Sequence, residues 1–388
     1  MSITAPQGFR AAGVTAGLKA SGKPDVALVV NDGPSKAAAA VFTSNRVAAA
    51  PVHWSREVVK DGRVDAVILN SGGANACTGP QGFQNTHTTA EKTAEALGVS
   101  ATDVVVCSTG LIGEQLPMEK ILAGIGSATA ALAADGGPAA ATAIMTTDSV
   151  SKQSVFTGTA AEGTQFTIGG MAKGAGMLAP GLATMLVVLT TDADVPPDVL
   201  DAELRNATRL TFDRADSDGC MSTNDTVVLL ASGASGAAPS AADFGAGLTQ
   251  VCAELARKLI GDAEGASHDI AIRTFNAASE RDAEIVSRAV ARSNLFKTAI
   301  FGKDPNWGRV LSAVGTTDAA FEPDQLNVST NGVQICRNGS IGDDRNLVDL
   351  EPREVLVEID LQAGAAEATI LTNDLTHDYV HENSAYSS

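Results

Sequence analysis

The sequence predicts a mixed α/β (α+β) protein in which short strands alternate with helices along all 388 residues. Two observations support this fold class. Short apolar runs rich in β-branched residues end in polar or glycine turns, as buried strands do. Between them lie longer stretches whose apolar residues recur at helical spacing, and several of these stop at a glycine. No internal repeat is visible, and the length allows one large core or two ordinary ones.

In the first half of the chain, the strand-like runs predict strands at residues 27–31, 67–71 and 104–107. The helical stretches stop at Gly98 and near Gly136, and they predict helices at residues 88–97 and 127–134. The third of these strands would deliver Ser108-Thr109-Gly110 into a loop.

In the second half, the same patterns predict strands at residues 185–190 and 268–275. They predict helices at residues 197–207, 248–259 and 278–293. Residues 355–361 and 367–372 have strand character, and Gly364 between them predicts a β-hairpin. Residues 232–242 are rich in Gly, Ala, Ser and Pro and are predicted to be a surface loop rather than a domain boundary.

Charge and composition narrow the range of functions. The 27 basic and 45 acidic residues give a formal net charge of −18. Such a chain has little positive charge with which to neutralise phosphates, which argues against nucleic acid and anionic membranes as partners. Residues 1–13 lack the basic and apolar regions of a signal peptide, and no apolar run approaches the length of a membrane span. A cytoplasmic protein is therefore expected.

The cysteines and histidines show no metal-binding pattern. The five cysteines are scattered, odd in number and without CxxC spacing; they lie at positions 77, 107, 220, 252 and 336. This favours reduced, mostly buried thiols over a disulfide framework or a zinc site. The five histidines form no HExxH or triad-like pattern. We therefore expect neither a metal nor a cofactor.

The most informative segment is residues 173–186, in which a glycine-rich approach, expected to be flexible, ends at Thr184 and leads into an apolar run. Threonine is a poor nucleophile at neutral pH unless a base lies beside it. Cutting the chain between Ala183 and Thr184 would supply that base, because a free α-amine titrates near about 8 and is partly neutral in the cell. Taken alone, such a segment is more often a connector into a buried strand.

Other strings along the chain favour the catalytic interpretation. Together with the Ala183-Thr184 step they resemble the ornithine acetyltransferase (glutamate N-acetyltransferase) family of arginine biosynthesis, in which the chain breaks between Ala and Thr. The strings occupy residues 71–79, 108–114, 145–148, 218–219, 222–226, 297–302 and 304–309, with Glu264 among them. The departures are few: Gly181-Leu182 stand where the family often has Asn or Asp then Met, Gly73 where Asn is common, and Ser388 where Thr is usual.

The resemblance implies a layered fold of the self-cleaving N-terminal-nucleophile type, with an α chain (residues 1–183) and a β chain (residues 184–388) that stay interwoven. It implies an α2β2 heterotetramer and a cofactor-free acyltransferase that moves acetyl from N2-acetylornithine to glutamate. Thr184 would be the nucleophile, and Thr109 and Gly110 would form the oxyanion hole. The implied substrate-binding residues are Thr147, Lys173, Thr184, Glu264, Asn383 and Ser388. Lys173 would suit a carboxylate and Glu264 an ammonium group.

Several alternatives stay open. A related self-processing aminopeptidase or amidase would pass the acyl group to water instead of glutamate. A nucleotide-binding module is disfavoured, because no GxGxxG follows a strand and no P-loop is present. No residue pattern separates family members that also use acetyl-CoA as donor from those that do not. Asn75, Asn224 and Asp225 either bind substrate or hold loops, and Trp307 is expected to pack rather than catalyse.

Overall fold

The computed structural model describes residues 2–179 and 185–385. Ala183, Thr184 and Ser388 therefore lie outside the described residues. Within the described ranges the α-helices are α1 (Ala50–Val58), α2 (Gly79–Leu97), α3 (Met118–Ala130), α4 (Gly137–Ala143), α5 (Pro197–Leu210), α6 (Ala241–Gly261), α7 (Glu280–Ala291), α8 (Asn294–Phe301), α9 (Trp307–Val314) and α10 (His377–Ala385).

The strands of the described residues form three sheets. They are β1 (Phe9–Val14), β2 (Val26–Asn31), β3 (Ala37–Phe42), β4 (Ala66–Asn70), β5 (Val104–Ser108), β6 (Lys152–Thr159), β7 (Gln165–Lys173), β8 (Leu186–Thr191), β9 (Thr226–Ala231), β10 (Asp269–Ala277), β11 (Asn327–Thr330), β12 (Val333–Arg337), β13 (Ser340–Ile341), β14 (Glu354–Asp360) and β15 (Ala366–Asn373). The first sheet has the order β1-β2-β4-β5, the second β3-β9-β8-β7-β6 and the third β13-β12-β11-β14-β10-β15.

The first and second sheets pack face to face, with helices on both outer faces. Alternate residues of a strand point to opposite faces, so Leu186 and Val188 of β8 lie in the core between the two sheets. Val187 and Leu189 of the same strand pack instead against α5 and α6. The outer face of the first sheet packs in the same way against α2 and α3. These layers form an αββα sandwich, which confirms the predicted mixed, layered fold class.

The second sheet contains strands from both sides of the Ala183-Thr184 step. β7 precedes the step and pairs antiparallel with β8, which follows it. β3 likewise pairs antiparallel with β9. The two halves of the sequence are therefore interwoven within one sheet and do not form separate domains.

The third sheet corrects one prediction. Residues 355–361 and 367–372 are indeed strands, but they do not form a hairpin. β10 lies between them, parallel to β14 and antiparallel to β15. The alternating apolar residues of β10 complete the buried face of this sheet against α7 and α9, and this long-range pairing leaves no local signal. Trp307 begins α9 and packs against this core, as expected.

Helix boundaries differ more than strand boundaries from the predictions. α2 begins at Gly79 and not near residue 88, with Pro80 in its first turn, where its missing N–H costs nothing. α3 begins at Met118, ends at Ala130 and covers only the first half of the predicted helix at 127–134. α6 begins inside the loop predicted at 232–242, because Ser240 Oγ accepts the Asp243 N–H and caps it. No described helix is both long and apolar enough to span a membrane.

Candidate active site

Thr109 and Gly110 follow directly after β5, in the loop where the sequence places them. The Thr109 N–H donates to the Asn70 carbonyl and its carbonyl accepts from the Gly73 N–H, both at 3.0 Å. Gly110 has φ +134°, and a Cβ there would lie 2.7 Å from Gly73 N, so the position requires glycine. Among the described residues the Gly110 N–H has no acceptor. It is therefore available to bind an oxygen.

Lys173 ends β7 and is buried beside this loop. Its Nζ lies 3.3 Å from Thr109 Oγ1. An ammonium group only donates, whereas a hydroxyl has one proton to donate and two lone pairs that accept. The Thr109 oxygen therefore accepts from Lys173, and its own proton is free to donate elsewhere. Thr109 and Gly110 can thus supply two donors to one developing negative charge.

A buried ionic network supports Lys173. Lys152 Nζ lies 2.7 Å from Asp148 Oδ1 and 2.5 Å from Asp262 Oδ2. Burial acts to raise the pKa of Asp148, but the charges of Lys173 and Lys152, with hydrogen bonds from Lys152 and the Gly174 N–H, lower it to about 2. Burial lowers the pKa of Lys173, against the charge of Asp148. Asp148 therefore stays ionised and favours the ammonium form of Lys173.

The chain that approaches Thr184 is hydrogen-bonded to neighbouring segments as far as Leu178. The Gly174 N–H donates to Asp148 Oδ1 at 2.7 Å. The Ala175 carbonyl accepts from the Glu264 N–H at 3.0 Å, and the Leu178 carbonyl accepts from the Ser217 N–H at 2.5 Å. These hydrogen bonds tie residues 174–178 to neighbouring segments. Gly176 allows a close approach to Glu264, since a Cβ there would lie 2.7 Å from Glu264 Oε2.

The chain that follows Thr184 is fixed by a buried carboxyl group. The Met185 N–H donates to Asp225 Oδ1 at 3.0 Å. Among the described residues, Asp225 Oδ2 has no hydrogen-bond partner. Burial raises the pKa of Asp225 well above its usual range, although the Met185 N–H and the charge of Lys173 act to lower it. Asp225 therefore lies beside Met185, the residue after Thr184, and its carboxyl group interacts with the charge of Lys173.

A cavity of about 520 Å³ brings most of the predicted site residues together. Six of them line it: Thr109, Gly110, Thr147, Lys173, Glu264 and Asn383. The six come from the loop after β5, the loop after α4, the end of β7, the turn after α6, and α10. Residues this far apart in sequence meet only through the packing of the sheets. Thr184 and Ser388 lie outside the described residues.

Glu264 and Asn383 line the cavity from the turn after α6 and from α10. Glu264 also borders a smaller cavity of about 210 Å³ that contains Asp218, Lys297 and Tyr379. Asn383 is exposed on α10 and donates from Nδ2 to the Tyr379 carbonyl at 3.0 Å. Its Oδ1 therefore remains available as an acceptor.

Comparison with known proteins identifies the family. The ArgJ family profile matches residues 10–388. The chain belongs to the ArgJ family. Over 388 residues it is 64% identical to the arginine biosynthesis bifunctional protein ArgJ of Streptomyces coelicolor and to that of Thermobifida fusca, covering all of each chain. Over 393 residues it is 55% identical to the ArgJ protein of Mycobacterium leprae, covering all of this chain and 96% of that one.

Two solved structures are also similar. Ornithine acetyltransferase from Mycobacterium tuberculosis, complexed with ornithine, is 53% identical over 48% of this chain and 96% of its own, with a TM-score of 0.43. The ArgJ protein of Bacillus halodurans is 36% identical over 48% of this chain and 95% of its own, with a TM-score of 0.43. The resemblance seen in the sequence is thereby confirmed by the family match, as is the prediction of an acyltransferase of arginine biosynthesis.

In this ArgJ-family chain, two of the residues left undecided by the sequence hold loops. Asn75 Nδ2 donates to the Gly82 carbonyl and to Thr86 Oγ1, both at 2.9 Å, at the start of α2. Asn224 Nδ2 donates to the carbonyls of Ala74 and Ser108, at 2.6 and 2.8 Å. Asn224 therefore ties the loop that carries Asp225 to the loop that carries Thr109.

Sequence reasoning missed two charged residues of the site. Lys19 lines the cavity from the loop between β1 and β2, where no pattern of residue types marks it. Asp148 was noted as part of a string, but its contacts with Lys152 and Gly174 become visible only in the fold. A larger cavity of about 1080 Å³, beside α6, β10 and β14, contains none of the six predicted residues. Volume alone therefore does not identify the site.

Proposed function

We propose that this ArgJ-family chain is a glutamate N-acetyltransferase that moves acetyl from N2-acetylornithine to glutamate through an acetyl-Thr184 intermediate. The observation that carries the proposal is the single cavity lined by Thr109, Gly110, Lys173 and Glu264. Its wall includes Met177, on the chain leading towards Thr184. The similarity to arginine biosynthesis bifunctional proteins over the whole chain agrees with this activity.

Self-cleavage would prepare the nucleophile. Thr184 Oγ adds to the Ala183 carbonyl carbon, and its proton passes to the Thr184 nitrogen. The Ala183–Thr184 C–N bond then breaks, which frees the Thr184 α-amine and leaves Ala183 as an ester on Oγ. Water then cleaves the ester and leaves Ala183 with a carboxylate. The free α-amine gives Thr184 its own base, since it can accept the hydroxyl proton. The fixed backbone at Met185 would hold Thr184 in place during these steps.

Acetyl transfer would then proceed in two steps. Thr184 Oγ attacks the acetyl carbonyl of N2-acetylornithine, its proton passes to the α-amine, and ornithine leaves with that proton on its own amine. The neutral α-amine of glutamate next attacks the acetyl ester, and Thr184 leaves as the hydroxyl. In both steps the tetrahedral oxygen would accept from Thr109 Oγ1 and the Gly110 N–H. Acetyl-CoA as a second donor would use the same acyl-enzyme.

Charge recognition would divide between two residues. Lys173 would bind the α-carboxylate that both substrates share, and Glu264 would bind an ammonium group of ornithine. Thr147 and Asn383 would supply neutral hydrogen bonds, and Ser388 a further hydroxyl. The proposal also includes an α2β2 assembly in the cytoplasm. The assembly and the location are proposed from the family resemblance. The charge assignment is supported by the placement of Lys173 and Glu264 in one cavity.

The decisive experiment follows acetyl through the purified protein. With N2-acetylornithine alone, mass spectrometry should find one acetyl group on a chain that begins at Thr184. Adding glutamate should remove it as N-acetylglutamate, faster than water removes it. Thr184→Ala should abolish cleavage and transfer, whereas Thr184→Ser should keep part of both. An uncut, fully active chain would refute the proposal, and faster release to water than to glutamate would favour the amidase alternative. Replacing N2-acetylornithine with acetyl-CoA tests the second donor.

A further inference from the structure

A second lysine reaches the cavity from the loop between β1 and β2. Lys19 Nζ donates to the carbonyls of Pro24 and Met145, at 2.7 and 2.6 Å. The buried carboxylate of Asp25 holds this loop, accepting from the N–H groups of Leu18 and Lys19 at 2.6 and 3.1 Å. Lys19 is therefore placed by the fold at the cavity wall and does not extend freely into solvent.

Within the part of the chain that the structure describes, the contacts of Lys19 leave one donor for a ligand. An ammonium group has three N–H donors, and the two carbonyls use two of them. Burial lowers the pKa of Lys19 to about 8; Asp25 acts to raise it and Lys173 to lower it further. A bound anion would offset both the cost of burying the Lys19 charge and the repulsion between the two lysines. The third donor and the charge are thus both suited to a carboxylate.

The charges of the cavity match one of the substrates. Among its described lining residues there are two lysines, Lys19 and Lys173, and one carboxylate, Glu264. Glutamate carries two carboxylates, one for each of these lysines. Ornithine and N2-acetylornithine each carry one carboxylate, which Lys173 alone can serve. The second lysine therefore has a counterpart only in a dicarboxylic amino acid.

We propose that Lys19 determines acceptor specificity by binding the side-chain carboxylate of glutamate. This rests on the proposed function and deepens it. Lys173 binds the α-carboxylate in both half-reactions, and Glu264 meets the cationic side chain of ornithine. When glutamate takes the place of ornithine, Lys19 binds the side-chain carboxylate of glutamate. One cavity can in this way accept two side chains of opposite charge in turn.

The test compares glutamate with glutamine, which has nearly the same shape and no side-chain charge. With N2-acetylornithine as donor, the wild-type protein should prefer glutamate in kcat/KM. Lys19→Met should reduce the glutamate-to-glutamine ratio about tenfold or more, since a hydrogen bond between charged groups is lost. Lys19→Gln should do the same while keeping N–H donors for the loop carbonyls. Lys23→Met, an exposed lysine of the same loop, should keep the wild-type ratio.

The ratio separates recognition from loop stability. If both Lys19 variants lower glutamate and glutamine transfer by the same factor, Lys19 only supports the loop and the inference is wrong. A wild-type protein with no preference between the two acceptors would also overturn it. If the wild-type protein acetylates neither acceptor from N2-acetylornithine, the proposed function itself fails, and that outcome is distinct from the other two.

Discussion

At the residue scale, the hydroxyl of Thr109 has its direction set by a neighbour. Lys173 Nζ lies 3.3 Å from Thr109 Oγ1, so the oxygen is used as an acceptor and the proton is left for the cavity. The adjacent Gly110 N–H lacks an acceptor among the described residues. Both donors are in place before any substrate arrives, which is the arrangement that stabilises developing charge most effectively.

Thr109→Ala should therefore lower kcat by about 10²-fold or more and change KM much less, because the hydroxyl acts on the transition state. Thr109→Ser, which keeps the hydroxyl, is the matched control and should retain most of kcat. Steady-state kinetics with N2-acetylornithine and glutamate measure both parameters. A rise in KM with unchanged kcat would make Thr109 a substrate-binding residue instead.

Asp148, also a single residue, contributes to the stability of the folded protein. Its pKa is lowered to about 2, so the folded protein favours the ionised form. The resulting stabilisation is present above the ordinary pKa of about 4 and is lost as pH falls from about 4 towards 2. Removing the carboxylate leaves the buried Lys152 with Asp262 alone.

Asp148→Asn should cost about 3 kcal/mol of unfolding free energy at pH 7, as breaking a buried ion pair does. The loss relative to the parent should shrink below about pH 4, where the parent carboxylate also becomes protonated. Urea unfolding measures this loss of unfolding free energy. The measurement is made in the Thr184→Ala background, which should keep one covalent chain. Asp201→Asn is the control, because Asp201 and Arg205 form an exposed pair with the same i,i+4 spacing; it should change stability by under about 1 kcal/mol. Equal losses for both variants would contradict the prediction.

At the element scale, the loops after β4 and β5 cross at Gly73 and Thr109, which form an isolated antiparallel bridge. Gly110 fits this crossing only without a side chain, because its Cβ would meet Gly73 backbone atoms at 2.7 and 2.8 Å. Gly113 lies in the same loop, also has positive φ, and has open space around its Cβ position. Both glycines have positive φ, but only Gly110 has close neighbours at its Cβ position. Comparing alanine substitutions at the two positions therefore separates the effect of steric contact from that of backbone strain.

Gly110→Ala should lower kcat by at least about 10²-fold, because the loops must separate and the N–H donor moves away from the oxyanion. Gly113→Ala adds backbone strain of about 1–2 kcal/mol without that contact, and should keep most of the activity. Kinetics and melting temperature of both variants measure the difference. Similar activities for the two would show that the crossing tolerates a methyl group.

The elements also show which features the sequence could predict. β-branched runs located β2, β4, β5 and β8 to within a residue or so, since strand character there is local. The prediction that β14 and β15 form a hairpin was wrong, because β10 is distant in sequence and inserts between them. Six site residues were named through resemblance, yet Lys19 was not, since only the folded β1–β2 loop brings it to the cavity.

At the scale of the whole molecule, the proposed cut falls between strands that share one sheet. β7 and β8 pair along six residues, as do β3 and β9. The core between the first two sheets likewise contains residues from both sides of the cut, such as Met171 and Val188. Cleavage would therefore remove one covalent bond without removing any of this packing.

The two pieces should consequently co-elute as one particle in native size-exclusion chromatography. They should separate only under denaturing conditions, where electrophoresis shows two bands of similar size. The Thr184→Ala protein, a single band of full length, is the control. Cleaved pieces that elute separately without denaturant would contradict the arrangement of the second sheet.

With the proposed cleavage, the hairpin formed by β7 and β8 would also fix an order of events. Before cleavage its connection keeps the partners together, so their meeting is independent of protein concentration. After cleavage, the same strands would have to find each other as separate molecules, and the encounter would become second order. The fold would therefore have to be complete before the proposed cut breaks the bond that helped to build it. Maturation would then be a one-way process, and a molecule that lost its structure afterwards would be replaced by new synthesis rather than repaired.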